Sequence, residues 1–159
     1  MDRAETSRLM NGRLLFVGLA AVIFVLDRIT KGLVAANIAP GTERAALPGV
    51  WITNTQNAGA AFGVAQQGTA IFLFASIAVA LGLVVYVARS RISTWISALL
   101  GLILGGTLGN GYDRLFHGSV TDFIALHVWP VFNVADSAIT IGVVVLLIGF
   151  FLRRGGEAR

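Results

Sequence analysis

The chain has 159 residues, 56% of them hydrophobic and 13% charged, with a mean hydropathy of +0.80. A soluble domain carries about 25% charged residues, so the composition places this chain in lipid. Its net charge of +4 sits at segment ends with no basic stripe, which speaks against a nucleic-acid partner. The absence of cysteine excludes disulfides, thiolate nucleophiles and Cys-ligated metals.

Four apolar segments follow in chain order, at about 14–33, 69–88, 92–112 and 134–152. Each is long enough to cross a hydrocarbon core of ~30 Å at ~1.5 Å per residue. Helices are expected throughout, because a lone strand cannot satisfy its backbone in lipid. The first segment has the length of a signal-peptide core, but Asp27, Arg28 and Lys31 follow it without a clean small-residue cleavage site, so a retained helix is expected. The outer connections then fall at about 34–68 and 113–133. In the first, VWITNT alternates β-branched and aromatic residues between prolines and glycines, which predicts a small β-rich region between helices one and two. The expected fold is therefore an all-α integral membrane protein of four helices with that small sheet outside, forming one membrane-embedded domain.

Basic residues set the expected orientation. Arg3, Arg8, Arg13, Arg89, Arg91, Arg153, Arg154 and Arg159 lie on one side of a four-crossing chain, and only Arg28, Lys31, Arg44 and Arg114 lie on the other. The excess of Lys and Arg marks the cytoplasmic side, so both termini are expected there. Trp51 and Trp129 fall in the outer connections, where an interfacial aromatic belt belongs.

Asp27, Asp113, Asp122 and Asp136 all map to outer helix ends or the outer connection. Ionisable residues at membrane depth are costly and default to pairing or function. Asp27 and Lys31 have the favourable i, i+4 order for an ion pair, with Arg28 as a competing base. Asp113 and Arg114 are expected directly after the third helix, either as a structural pair or with Arg114 free for a carbonyl or lipid headgroup. Asp122 and Asp136 have no Lys or Arg between them; only His127 offers a charge. Two readings of this pair stand side by side. Asp136 can cap the fourth helix and Asp122 can be a loop acid, although its neighbours Phe123, Ile124, Ala125 and Leu126 are apolar. Alternatively the two meet and share a proton, one taking water's proton and the other polarising a carbonyl. His117 lies one helical turn after Asp113, but two isolated histidines without a ligand motif do not make a zinc site, and no metal or cofactor is expected. Gly101, Gly105 and Gly109 repeat every fourth residue, the spacing of close helix packing.

Four blocks then carry a resemblance across nearly the whole chain: DRITK at 27–31, NAGAAFG at 57–63, GNGYDRLFHGSVTDFI at 109–124 and WPVFNVADSAI at 129–139. In this order the sequence resembles the bacterial lipoprotein signal peptidases, also called signal peptidase II. The resemblance implies an aspartic endopeptidase of the bacterial inner membrane that works without metal. Its substrates are diacylglyceryl-modified prolipoproteins, cut just before the lipid-carrying cysteine, with membrane lipid as its other partner. It implies that Asp122 and Asp136 are the catalytic dyad, near the outer leaflet. Asp27, Lys31, Asn57, Gly59, Asn110, Asp113, Arg114 and Asn133 are implied to shape the site or contact substrate. A monomer is expected. The chain departs from the family at Arg28, where glutamine is usual, and at Thr107, where alanine is common. The competing reading is a small proton-coupled transporter or channel, which would carry its acids near the bilayer midplane.

Overall fold

The computed structural model describes residues 3–59 and 65–157. Among the described residues the order is α1 (Arg3–Asn37), β1 (Glu43–Leu47), β2 (Val50–Asn57), α2 (Ala65–Arg89), α3 (Thr94–His117), β3 (Val120–Ala125) and α4 (Val134–Glu157). Three helices carry a span long and apolar enough to cross a membrane: Leu9–Asn37, Gly68–Arg89 and Val134–Leu152. The protein is an integral membrane protein, mostly helical, with a small antiparallel sheet.

The helices outrun the apolar segments. Helix α1 starts near the N-terminus because the preceding residues include good helix formers and no proline. Helix α3 continues past the expected end at 112 to His117 and stops at Gly118, whose φ of 73° supplies the left-handed cap. Asp113 and Arg114 are therefore inside the helix rather than after it.

The apolar segment at 92–112 differs from its three counterparts. Helix α3 packs against α1, α2 and α4, so neighbouring helices, not lipid, meet much of its surface. That is why it can carry Gly, Thr and Asn where the others carry large apolar residues. Gly101, Gly105 and Gly109 face α1. A Cβ on them would come within 2.7 Å of the Phe16 carbonyl, 2.6 Å of the Ala20 carbonyl and 2.6 Å of an Asp27 carboxylate oxygen. Gly106 makes the same close approach to the Ala135 backbone on α4. Phe16, Ala20, Leu100, Ile103 and Leu104 form the buried core between α1 and α3, joined by Val87 of α2.

The sheet has the order β1-β2-β3, antiparallel throughout. Pro48 and Gly49 turn β1 into β2, with Gly49 at φ 79°. The third strand was not expected, since the β signal was confined to the first outer connection. Strand β3 comes from the second connection and pairs Thr55 with Asp122 and Asn57 with Val120. Its burial does not alternate, because both faces are covered; Phe123 packs on Val34 and Ile38 at the end of α1. Period-two patterning is the usual mark of a half-exposed strand, and here it is lost.

Candidate active site

The four acids gather in two neighbouring clusters at one end of the helices. The first joins α1 to α3. The Asp27 carboxylate takes Lys31 at 2.8 Å and Arg28 at 3.0 Å on the same oxygen, and its other oxygen accepts from the Ala135 N–H at 3.2 Å. Asp113 takes Arg28 at 2.6 Å and Lys31 at 2.7 Å, one base on each oxygen. So Asp27 does not choose between Arg28 and Lys31, and the expected Asp113–Arg114 pair gives way to this four-membered cluster. Gly109 makes it possible, because a side chain there would collide with Asp27.

Arg114 points elsewhere. Its guanidinium lies 5.2 Å over the Phe72 ring of α2 and reaches the Asn110 carbonyl at 3.4 Å. Its Nε is buried without a hydrogen-bond partner among the described residues.

The second cluster holds Asp122 and Asp136, and among the described residues only neutral groups hydrogen-bond to them. Asn133 is the junction. Its Nδ2 donates to Asp122 Oδ1 at 2.7 Å, and its Oδ1 accepts from the Asp136 backbone N–H at 2.9 Å. Asp136 Oδ2 accepts in return from the Asn133 N–H at 3.2 Å. This is a reciprocal capping box, so Asn133 is the cap of α4 and Asp136 sits three residues inside. Asn57 donates to Asp122 Oδ2 at 2.9 Å, and Asn110 donates to Asp136 Oδ1 at 2.7 Å. Gly59 fixes Asn57: its N–H donates to Asn57 Oδ1 at 2.9 Å, and its φ of 78° and the nearby Phe72 ring leave no room for a side chain.

The clusters are wired together. Lys31 Nζ donates to Asn110 Oδ1 at 2.9 Å, which also accepts from Asn133 at 3.1 Å. Lys31 thereby turns the Asn110 amide so that its Nδ2 faces Asp136. Asp122 is only 3% exposed, whereas Asp136 is half-buried. Burial pushes the Asp122 carboxyl up to about 6; the Asn57 amide opposes the rise and the charge of Asp136 adds to it. Desolvation beside a second carboxylate favours the protonated form of Asp122.

His127 takes no part in the pair. It stacks on Trp51 with ring centroids 3.9 Å apart and contacts Glu43 at 3.1 Å. His117 meets Asp113 at 3.3 Å at the exposed rim. Two residues unmarked in the sequence support the site: Phe72, under Arg114 and against Gly59, and Thr69, whose hydroxyl lies 2.9 Å from the carbonyls of Ala58 and Gly118. Neither stands out in an apolar helix. Most of the NAGAAFG block, residues 60–63, lies outside the described residues.

The family model described as signal peptidase (SPase) II matches residues 19–152. The chain belongs to this family. A lipoprotein signal peptidase of Syntrophomonas wolfei is 44% identical over 91% of this chain and 97% of its own. One of Gloeobacter violaceus is 43% identical over 82% and 79%. A solved bacterial membrane enzyme, determined by the in meso method at 2.3 Å, superposes with a TM-score of 0.80 at 28% identity, covering 89% of this chain and 90% of its own. As a signal peptidase II family member the protein is a peptidase, and both buried clusters fall within the matched region.

Proposed function

We propose that the protein is a metal-independent aspartic endopeptidase that removes the signal peptide from diacylglyceryl-modified prolipoproteins, cutting before the lipid-carrying cysteine. The observation that carries this reading is the Asn133 junction, which holds Asp122 and Asp136 through one side chain. Asp136, the more accessible acid, takes the proton of the attacking water. Asp122, with its raised pKa, donates to the scissile carbonyl oxygen. Developing charge in this low-dielectric site meets fixed amides rather than mobile water. Arg114, with a donor to spare, holds a carbonyl of the substrate backbone.

In this reading all four helices cross the bacterial inner membrane as one domain, α3 sheltered by the other three. Both termini are cytoplasmic, following the basic residues at the two ends and in the α2–α3 turn. The dyad then lies near the outer leaflet, and one chain suffices as a monomer. A transporter would want its acids at the midplane on broken helices; these sit on a strand and on the first turn of an unbroken helix.

The test is direct. Purified protein in detergent, with chelator present, should cut a diacylglyceryl-modified precursor before its modified cysteine, as read by mass spectrometry. The unmodified precursor should stay intact. No cleavage of the modified precursor, or activity lost to chelator and restored by zinc, would overturn the proposal.

A further inference from the structure

A cavity of about 400 Å³ opens beside Asp136 along α4. Leu126, Trp129 and Phe132 of the β3–α4 connection line it together with Asp136, Ser137, Thr140 and Ile141 of α4. Thr140 follows Asp136 at i, i+4 on the same helix face, and Ile141 lies beside it. The cavity therefore starts at an acid of the dyad and runs along the membrane-spanning part of α4.

We propose that this cavity is the subsite for an acyl chain of the substrate's diacylglyceryl group. The inference rests on the peptidase reading above and adds where the lipid lies. Three observations select this occupant. Continuity with Asp136 means that whatever fills the cavity is attached close to the scissile bond. The width excludes the signal peptide's own helix, since an α-helix with side chains is ~10 Å across and would need far more than this volume over a few turns. The lining holds one acid and no base, so it has no cation for a phosphate headgroup, while a neutral glyceryl ester can meet the hydroxyls of Ser137 and Thr140.

The larger groove of about 460 Å³ between α2 and α3, lined by Phe24, Leu73, Ile77, Leu108 and Tyr112 among others, contains no acid. It is the internal comparison. In the α4 cavity Thr140 is exposed and Ile141 is 53% exposed, so an enlarged side chain there fills space without entering the packed core.

The experiment uses the full-length protein in detergent with two synthetic precursors, identical except for dipalmitoyl or dibutyryl chains on the glyceryl-cysteine. Thr140→Trp should raise KM for the dipalmitoyl precursor at least about ten-fold, since displacing two buried methylenes already amounts to that factor. Its KM for the dibutyryl precursor and its kcat on both should stay within about two-fold of wild type. Leu81→Trp, in the α2–α3 groove, should leave both precursors unaffected. Equal losses on both precursors, no loss on either, or a chain-length-dependent loss with Leu81→Trp instead would overturn the inference. If wild type cuts neither precursor, the peptidase reading itself fails, a result distinct from any pattern among the variants.

Discussion

Two buried acid clusters lie side by side in this molecule, neutralised in different ways. Asp27 and Asp113 are matched by Arg28 and Lys31, two charges of each sign within 3.0 Å contacts. Asp122 and Asp136 are held by the amides of Asn57, Asn110 and Asn133 and by one backbone N–H. A carboxylate between two cations has no use for a proton. A carboxylate held by amides next to another carboxylate does. Burial alone thus says little about function; what distinguishes the clusters is whether their partners are charged.

That comparison can be broken from either side. The largest effect on stability is expected from Lys31→Met. It leaves Asp27 and Asp113 to share Arg28, and stranding a buried charge costs about 3–5 kcal/mol. Thermal unfolding in detergent should show a large drop, and cleavage should fall as well because Asn110 loses its anchor. A variant with wild-type stability would show that the first cluster is not the brace described here.

Asn133→Ala is expected to cost less in stability and more in selectivity of effect. Loss of the helix cap amounts to about 1 kcal/mol. Both aspartates lose their shared support, and misplacement on the scale of an ångström costs about 10²-fold in rate. Unfolding and kcat measured on the same preparation would separate the two. A loss of stability with full kcat would remove Asn133 from the site.

Asn57→Ala sharpens the comparison through pH. The Asn57 amide favours the ionised form of Asp122, so its removal should raise that carboxyl further above about 6. In the proposed mechanism Asp122 works protonated, so wild-type activity should fall as pH rises through its pKa. The alkaline limb of the pH–rate profile should therefore move to higher pH in the variant. Stability has the same origin: the folded state binds the Asp122 proton more tightly than the unfolded chain does, so its contribution is full at low pH and is lost between about pH 4 and pH 6. An unmoved alkaline limb would mean that another group carries the proton. The smallest effect belongs to the exposed Glu5–Arg91 pair at the far end; Glu5→Gln should change stability by no more than about 0.5 kcal/mol.

Much of this was legible in the sequence because lipid makes patterns stark. Segments of about twenty apolar residues announce helices, and an acid among them is conspicuous. The gathering of all four acids at one end of the helices and the packing role of Gly101, Gly105 and Gly109 were readable for that reason. Strand β3 was not, because it is covered on both faces and carries no alternation. Nor was the division of the acids. Asp27 does take its sequence neighbours Arg28 and Lys31, but Arg28 also reaches Asp113 across 85 positions and Asn57 reaches Asp122 across 65, so the adjacency of Asp113 and Arg114 was a poor guide to their partners. The capping role fell to Asn133 rather than Asp136 because the helix begins one residue after it, a shift that periodicity cannot resolve.

The central claim, that Asp122 and Asp136 act as one catalytic unit, is tested most directly by cleavage of the diacylglyceryl-modified precursor with Asp122→Asn, Asp136→Asn and the double variant, each alongside thermal unfolding. Each single change should reduce kcat by at least about 10³-fold, and the double should be no worse than either single, since residues acting as a unit are not additive. All three proteins should remain folded, because asparagine keeps the volume and part of the hydrogen bonding. Substantial turnover by either folded single variant would contradict the account.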